Sequence, residues 1–374
     1  MSAPTAHRTA TKFTTLTSWR RRDWLEAGGL LGFVVALHVI GFGLLFFVIA
    51  PNHYSVGTQI FGVGLGITAY TFGLRHAFDA DHIAAIDNTT RKLRGDGIRP
   101  KAVGFWFAMG HATIVFILAF LVVAGAHAVG ALMDENSTAH ETLGMIGTLS
   151  SGAFLWVIGI LNLLALIGIY RVWQGLRRGE FDEHELEGHL ANRGFLARML
   201  SGLTATIRRP WQMYPLGLLF GLGFDTASEV ALLVLAGSSA AAGVPWYAII
   251  VLPLLFAAGM SLLDTLDGLF MSVAYDWAFL KPVRKVYYNL AITALSVTVA
   301  LLIGTIEIVA VLHDAGWTNP VTDWVAGLDL NNVGFLVVGL FVLVWTVAIT
   351  YWNLAKVEDR WGPQPLAPDS TSTS

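Results

Sequence analysis

Long apolar runs, separated by short polar and mostly basic segments, set the pattern of this chain. Runs reaching the roughly 20 residues needed to cross a bilayer fall at about 25–50, 57–87, 103–128, 148–171, 213–238, 246–272, 287–313 and 333–355. They predict an all-α integral membrane protein of eight transmembrane helices, the second having the least sharply marked end. Residues 1–24 read as a polar tail and 25–356 as the transmembrane domain, with a loop over 172–212 between helices 4 and 5. Residues 357–374, rich in Pro, Ser and Thr, read as a disordered tail. The first 24 residues lack a short apolar core ending in a small-residue cleavage site, so helix 1 is expected to be its own insertion signal.

Composition and charge sharpen the picture. The chain is 55% hydrophobic and only 13% charged, far more apolar than a soluble domain. Lys and Arg are retained on the cytoplasmic side of short loops, which tests the helix count independently. The N-terminal tail, the 2–3, 4–5 and 6–7 connections and the segment after helix 8 hold 22 of the 23 basic residues. All five segments fall on one side of an eight-helix arrangement, which puts both termini in the cytoplasm. The opposite loops carry Asp134, Glu135, Glu141, Asp314, Asp323 and Asp329 and no basic residue. Such acidity either concentrates cations modestly or is ordinary loop solvation. The chain has no cysteine, so thiolate ligation and disulfides are excluded.

Ionisable groups nevertheless lie inside the predicted spans: Arg75, Asp79, Asp81 and Asp87 on helix 2, Asp225 and Glu229 on helix 5, Asp264 and Asp267 on helix 6, and Glu307 on helix 7. At about 2.5–3.5 kcal/mol per mid-helix charge, eight acids against one base require protons, a bound cation or access to water. A structural role would predict pairing, and most of these acids have no basic partner in the spans. At about 100° per residue, His76, Asp79, His82 and Asp87 share a helix face about 140° wide. Asp81 points elsewhere, toward a neighbouring helix or Arg75, unless the helix is broken here. The upstream Gly62, Gly64, Gly66 and Gly73 favour a break or a close helix contact. A lone membrane histidine reads as packing, but two interleaved with two carboxylates suit a first-row divalent ion such as nickel, cobalt, zinc, manganese or iron.

Other helices offer further groups. His111 follows Gly110 on helix 3 and is a third candidate imidazole. Asp225, Ser228 and Glu229 share one face of helix 5, and Met260, Asp264 and Asp267 share one face of helix 6. Met260 reads first as packing, as does His38 on helix 1. The run from Phe181 to His189 mixes His with acids but reads best as a solvated amphipathic helix. Phe72-Gly-Leu74 followed by Phe78-Asp79 is echoed by Phe220-Gly-Leu222 followed by Phe224-Asp225. This short echo suggests that helices 1–3 and 4–6 form an inverted repeat with two helices added, an arrangement common in secondary transporters.

Four of these motifs, in this order, resemble the nickel/cobalt transporter family, the high-affinity nickel permeases. They are Arg75-His-Ala-Phe-Asp-Ala-Asp-His-Ile83, Phe107-Ala-Met-Gly-His111, Leu222-Gly-Phe-Asp-Thr-Ala-Ser-Glu229 and Gly259-Met-Ser-Leu-Leu-Asp-Thr-Leu-Asp267, joined by Tyr287-Tyr-Asn289. The resemblance implies an eight-helix inner-membrane permease importing Ni²⁺ or Co²⁺ as transported substrate, with His76, Asp79, Asp81 and His82 as its signature site. Ser228 stands where the family pattern commonly has Thr, which keeps the hydroxyl.

On this reading a hydrated cation enters from the acidic face, exchanges waters for His76, His82 and Asp79, and leaves inward as the repeats rock. Asp225, Glu229, Asp264 and Asp267 stabilise it or carry protons, Asp87, Ser228 and Met260 also belong to the transport pathway, and Arg75 forms a structural ion pair. Export of the same metals is a rival, because ligands do not encode direction. An intramembrane metal-dependent hydrolase would need an open metal position and a general base. No HExxH pattern occurs and the carboxylates are spread over four helices, so no enzyme activity, resident cofactor or nucleic-acid partner is expected. A metal sensor would need an output domain larger than the 172–212 loop.

Overall fold

The computed structural model describes residues 19–56, 59–124, 138–177, 207–222, 227–278, 282–328 and 333–354. The expectations for Asp225, for the acids Asp134, Glu135 and Asp329, for the His-containing run in the 4–5 loop, for residues 1–18 of the N-terminal tail and for the C-terminal tail lie outside these residues, while residues 21–24, read as part of that N-terminal tail, belong to the first helix. The elements in order are α1 (Arg21–Leu44), extended by a π-helical turn (Leu45–Ile49) and a 3₁₀ turn (Ala50–Asn52), and a small hairpin of β1 (Tyr54–Val56) and β2 (Gln59–Phe61). There follow α2 (Val63–His76), α3 (Ala80–Gly95), α4 (Val103–Val123), α5 (Thr138–Arg177), α6 (Met213–Phe220) and α7 (Ala227–Ala241). A single turn (Trp246–Ile249) leads into α8 (Val251–Ala278), then α9 (Pro282–Asp314), α10 (Pro320–Ala326) and α11 (Val333–Leu354). The hairpin, which the apolar pattern did not predict, pairs Tyr54 with Phe61 and Val56 with Gln59 in antiparallel register.

Among the described residues, five helical stretches are long and apolar enough to cross a membrane: Arg21–Asn52, Val103–Val123, Met145–Arg171, Trp246–Tyr275 and Thr293–Asp314. Two shorter apolar helices are Ser228–Ala241 and Phe335–Val344. The run at 57–87 is not one helix. It breaks after His76, and α2, with 14 residues, reaches only about 21 Å at 1.5 Å per residue, short of a bilayer core. The helical angles worked across residues 76–87 therefore do not hold. In addition, α3 continues to Gly95 and buries Arg91 and Lys92, which the sequence pattern had assigned to a cytoplasmic connection; Lys92 reaches Asp96 at 3.2 Å.

The described residues divide into two compact units, one within Met1–Ala77, Thr89–Gly144 and Arg208–Trp277, the other within Phe78–Asn88, Met145–Ile207 and Ala278–Ser374. Lipid tails are as apolar as leucine, so helices in a membrane associate through close packing at small residues and through hydrogen bonds. The first unit uses glycine crossings. A Cβ on Gly73 of α2 would collide with the Phe256 carbonyl of α8, and one on Gly259 of α8 would stand 2.6 Å from the Tyr70 carbonyl. Likewise Gly110 of α4 lies against the Tyr214 carbonyl of α6 and Gly217 of α6 against the Phe107 carbonyl. α7 packs on both α4 and α2. The second unit uses polar contacts: Asn162 Nδ2 donates to Asn88 Oδ1 at 2.7 Å, Ser296 Oγ donates to Asp87 Oδ2 at 2.6 Å, and Trp156 Nε1 donates to Thr305 Oγ1 at 3.0 Å.

Candidate metal centre

The glycine crossings deliver the side chains of the first unit. The contact of Gly73 with α8 seats the last turn of α2, which ends in His76. The contact of Gly110 with α6 seats His111, the next residue of α4. The two imidazoles are 1% and 2% exposed, and their Nε2 atoms face each other at 2.9 Å, with ring centroids 4.5 Å apart and planes tilted by 59°. The first turn of α7 closes the group: Ser228 Oγ lies 3.3 Å from His76 Nδ1, and Glu229 Oε2 lies 3.7 Å from His111 Nε2. The Phe256 ring backs His76 at 5.4 Å.

Two chemistries suit paired Nε2 atoms. Between neutral imidazoles, one nitrogen must carry a proton and the other a lone pair. Alternatively both lone pairs point at one cation. With metal–nitrogen bonds of about 2.0–2.1 Å at a right angle, the nitrogens stand about 2.9 Å apart, the cis edge of a square-planar or octahedral centre, whereas a tetrahedral centre needs about 3.3–3.4 Å. The observed spacing matches the first. Glu229 adds the charge argument. It is 0% exposed, and neither carboxylate oxygen has a hydrogen-bond partner among the described residues. A lone buried carboxylate is costly, and a divalent cation on the neighbouring imidazole would offset that cost.

The other expected site residues are placed as follows. Met260 is buried in the apolar cluster that includes Ala77, Ala112 and Phe256. Asp264 is buried and Asp267 half-buried on α8. Arg75, half-buried at the end of α2, makes no ion pair among the described residues, so the pairing expected of it is not found there. In the second unit, Asp79 lies at the break and its carbonyl accepts the Ile83 N–H at 3.2 Å, opening α3. Asp81 Oδ1 accepts the His82 N–H at 2.9 Å, which turns this carboxylate onto the positive end of its own helix. His82 is buried, and Asp87 accepts from Ser296. Sequence reasoning missed the backing ring of Phe256, the donor Ser296 and the crossing glycines Gly217 and Gly104, the latter packed against the Asp264 carbonyl of α8. Gly217 of α6 left a trace, since it and Gly221 stand one helical turn apart.

Comparison with known proteins bears on this geometry. The sequence model of the high-affinity nickel-transport protein family matches residues 62–351. The chain is 56% identical over 352 residues to the nickel transporter NicT of Mycobacterium tuberculosis, covering 94% of each chain. It is 45% identical over 302 residues to the high-affinity nickel transport protein of Cupriavidus necator, covering 79% of this chain and 85% of that one. It is also 38% identical over 342 residues to the cobalt transport protein NhlF of Rhodococcus rhodochrous, covering 90% and 95%. No solved structure matches. The match takes in all four motifs and most of the apolar helices, so the chain is a multi-pass membrane protein that belongs to the high-affinity nickel-transport family.

Proposed function

We propose that this chain is an eight-span permease of the cytoplasmic membrane, with both termini inside, that imports Ni²⁺ or Co²⁺. His76 and His111 bind the dehydrated ion, Glu229 balances its charge, and His82 and Asp79, just beyond the end of α2, complete the site. Asp87, Asp225, Ser228, Asp264 and Asp267 line the route, and Asp81 supports His82. The observation that carries this reading is the Nε2 pair at 2.9 Å beside a fully buried glutamate. The names of the relatives support nickel, and one supports cobalt. The helix break at residues 77–79 also supports it, because irregular backbone at membrane depth is tolerated where it is enclosed by protein or lines a cavity. The motif echo between the halves supports an inverted repeat that rocks about the site.

Direction follows from charge. Two positive charges moving inward gain about 4.6 kcal/mol per 100 mV, enough for roughly thousandfold accumulation. The test is purified protein in liposomes under an imposed inside-negative potential, with radioactive Ni²⁺ outside and Co²⁺, Zn²⁺ or Mn²⁺ as competitors. The expected result is potential-driven Ni²⁺ accumulation suppressed best by Co²⁺. Failure of the potential to drive Ni²⁺ inward contradicts the proposal.

A further inference from the structure

A cavity of about 200 Å³ opens where α1 begins, far in sequence from the histidine pair, and among the described residues its lining is dominated by cations. Arg20, Arg94, Arg99 and Lys101 face it against the single carboxylate of Asp23. Asp23 is already engaged: Lys101 Nζ donates to its Oδ1, Arg99 Nη1 lies 3.3 Å from the same oxygen, and the Arg20 N–H donates to Oδ2 at 2.9 Å. Arg20, Arg99 and Lys101 alone therefore bring two positive charges more than this carboxylate neutralises. Lys101 is 3% exposed with its Nζ 4.5 Å above the Trp19 ring, so its cation is presented from a buried position.

The depth of the cavity is marked by tryptophans. Trp19 lines it and meets Trp24 edge to face at 4.9 Å, while Trp24 and Leu25 are exposed on the following turn of α1. Tryptophan sits at headgroup level in membrane proteins, and the exposed apolar side chains beyond it mark the start of the acyl region. A basic pocket at that level is shaped for a phosphodiester whose glycerol continues toward hydrocarbon. Arginine's fork and a buried ammonium suit phosphate oxygens.

We propose that this cavity binds the headgroup phosphate of an anionic phospholipid and so ties the start of α1 to the loop at Arg99 and Lys101. The reading goes beyond metal transport and does not depend on it.

The experiment is native mass spectrometry of the full chain in detergent, titrated with phosphatidylglycerol or phosphatidylcholine, with thermal midpoints as a second readout. The variants are Arg20→Gln and Arg99→Gln, the latter side chain 44% exposed in the wild type, and Arg208→Gln as an exposed basic control outside the cavity. Phosphatidylglycerol is expected to bind the wild type about fivefold or more tightly than phosphatidylcholine and to raise its thermal midpoint. Each cavity variant is expected to weaken that binding about fivefold, and the control to leave it unchanged. Equal binding of the two lipids, or an equal loss in all three variants, overturns the proposal. Glycerol phosphate or inorganic phosphate that occupies the cavity and displaces the lipid at micromolar concentration also overturns it, making this a soluble-anion site.

Discussion

Replacing His111 by alanine tests the candidate centre where its geometry is tightest. The substitution deletes one of two Nε2 atoms standing 2.9 Å apart and removes the nitrogen 3.7 Å from Glu229. Metal sites of about four ligands hold an ion by about 10–16 kcal/mol in total, so one imidazole contributes about 2.5–4 kcal/mol. That is on the order of a hundredfold or more in Kd. His111 is buried against α6 and α7, so lost packing is a competing cause. His111→Gln, which refills most of the volume without an imidazole, separates the two. Equilibrium dialysis of radioactive Ni²⁺ against purified protein, with thermal midpoints recorded in parallel, is the assay. Both variants are expected to weaken Ni²⁺ binding by about a hundredfold, and His111→Gln to keep a midpoint near that of the wild type. Binding within about threefold of wild type in a folded variant, less than about 0.7 kcal/mol, refutes the reasoning.

Three further outcomes follow. Glu229→Gln removes a buried charge that lacks a hydrogen-bond partner among the described residues, so the metal-free protein should melt no lower than wild type while Ni²⁺ uptake falls about tenfold or more. A large drop in melting temperature would mark Glu229 as structural instead. Gly73→Ala drives a methyl into the Phe256 carbonyl, whereas Gly64→Ala in the same helix meets nothing within 4 Å. Thermal denaturation should show the first destabilised by about 1–3 kcal/mol or more and the second unchanged or stabilised by up to about 1 kcal/mol. Protons compete with the metal for imidazole nitrogen, so Ni²⁺ affinity should fall as the pH is lowered. Dialysis from about pH 7.5 down to about pH 4.5 reads the trend, and an affinity that stays flat or rises toward acid contradicts imidazole ligation.

Much of this architecture was legible in the chain because bilayer thickness imposes its length on apolar runs. The stretches at 25–50, 103–128, 148–171, 246–272 and 287–313 correspond to the five long apolar helices. The run at 57–87 misled, because hydropathy averages over a helix break. The helix breaks over residues 77–79 and Asp81 accepts the His82 N–H in the first turn of α3, and neither feature alters mean apolarity. Because of this break the angles of one continuous helix do not apply across residues 76–87. Arg91 and Lys92 looked like loop residues on charge alone, yet they are buried within α3.

The candidate centre was legible in its chemistry and not in its geometry. His76, His111, Ser228 and Glu229 were visible as polar groups in apolar surroundings, but their meeting depends on Gly73, Gly110 and Gly217 bringing α2, α4, α6 and α8 into backbone contact. Such long-range crossings leave only small-residue spacing in the sequence. Asp87 shows the opposite case. It reads as a pathway acid from the chain, and its carboxylate accepts a 2.6 Å hydrogen bond from Ser296, more than two hundred residues later.

X-ray absorption at the nickel edge of the Ni²⁺-loaded full chain tests most directly whether the facing imidazoles hold the ion. At least two imidazole nitrogens at about 2.0–2.1 Å are expected in the first shell, falling by one in His111→Ala. A shell of oxygen atoms alone, unchanged by that substitution, would contradict it.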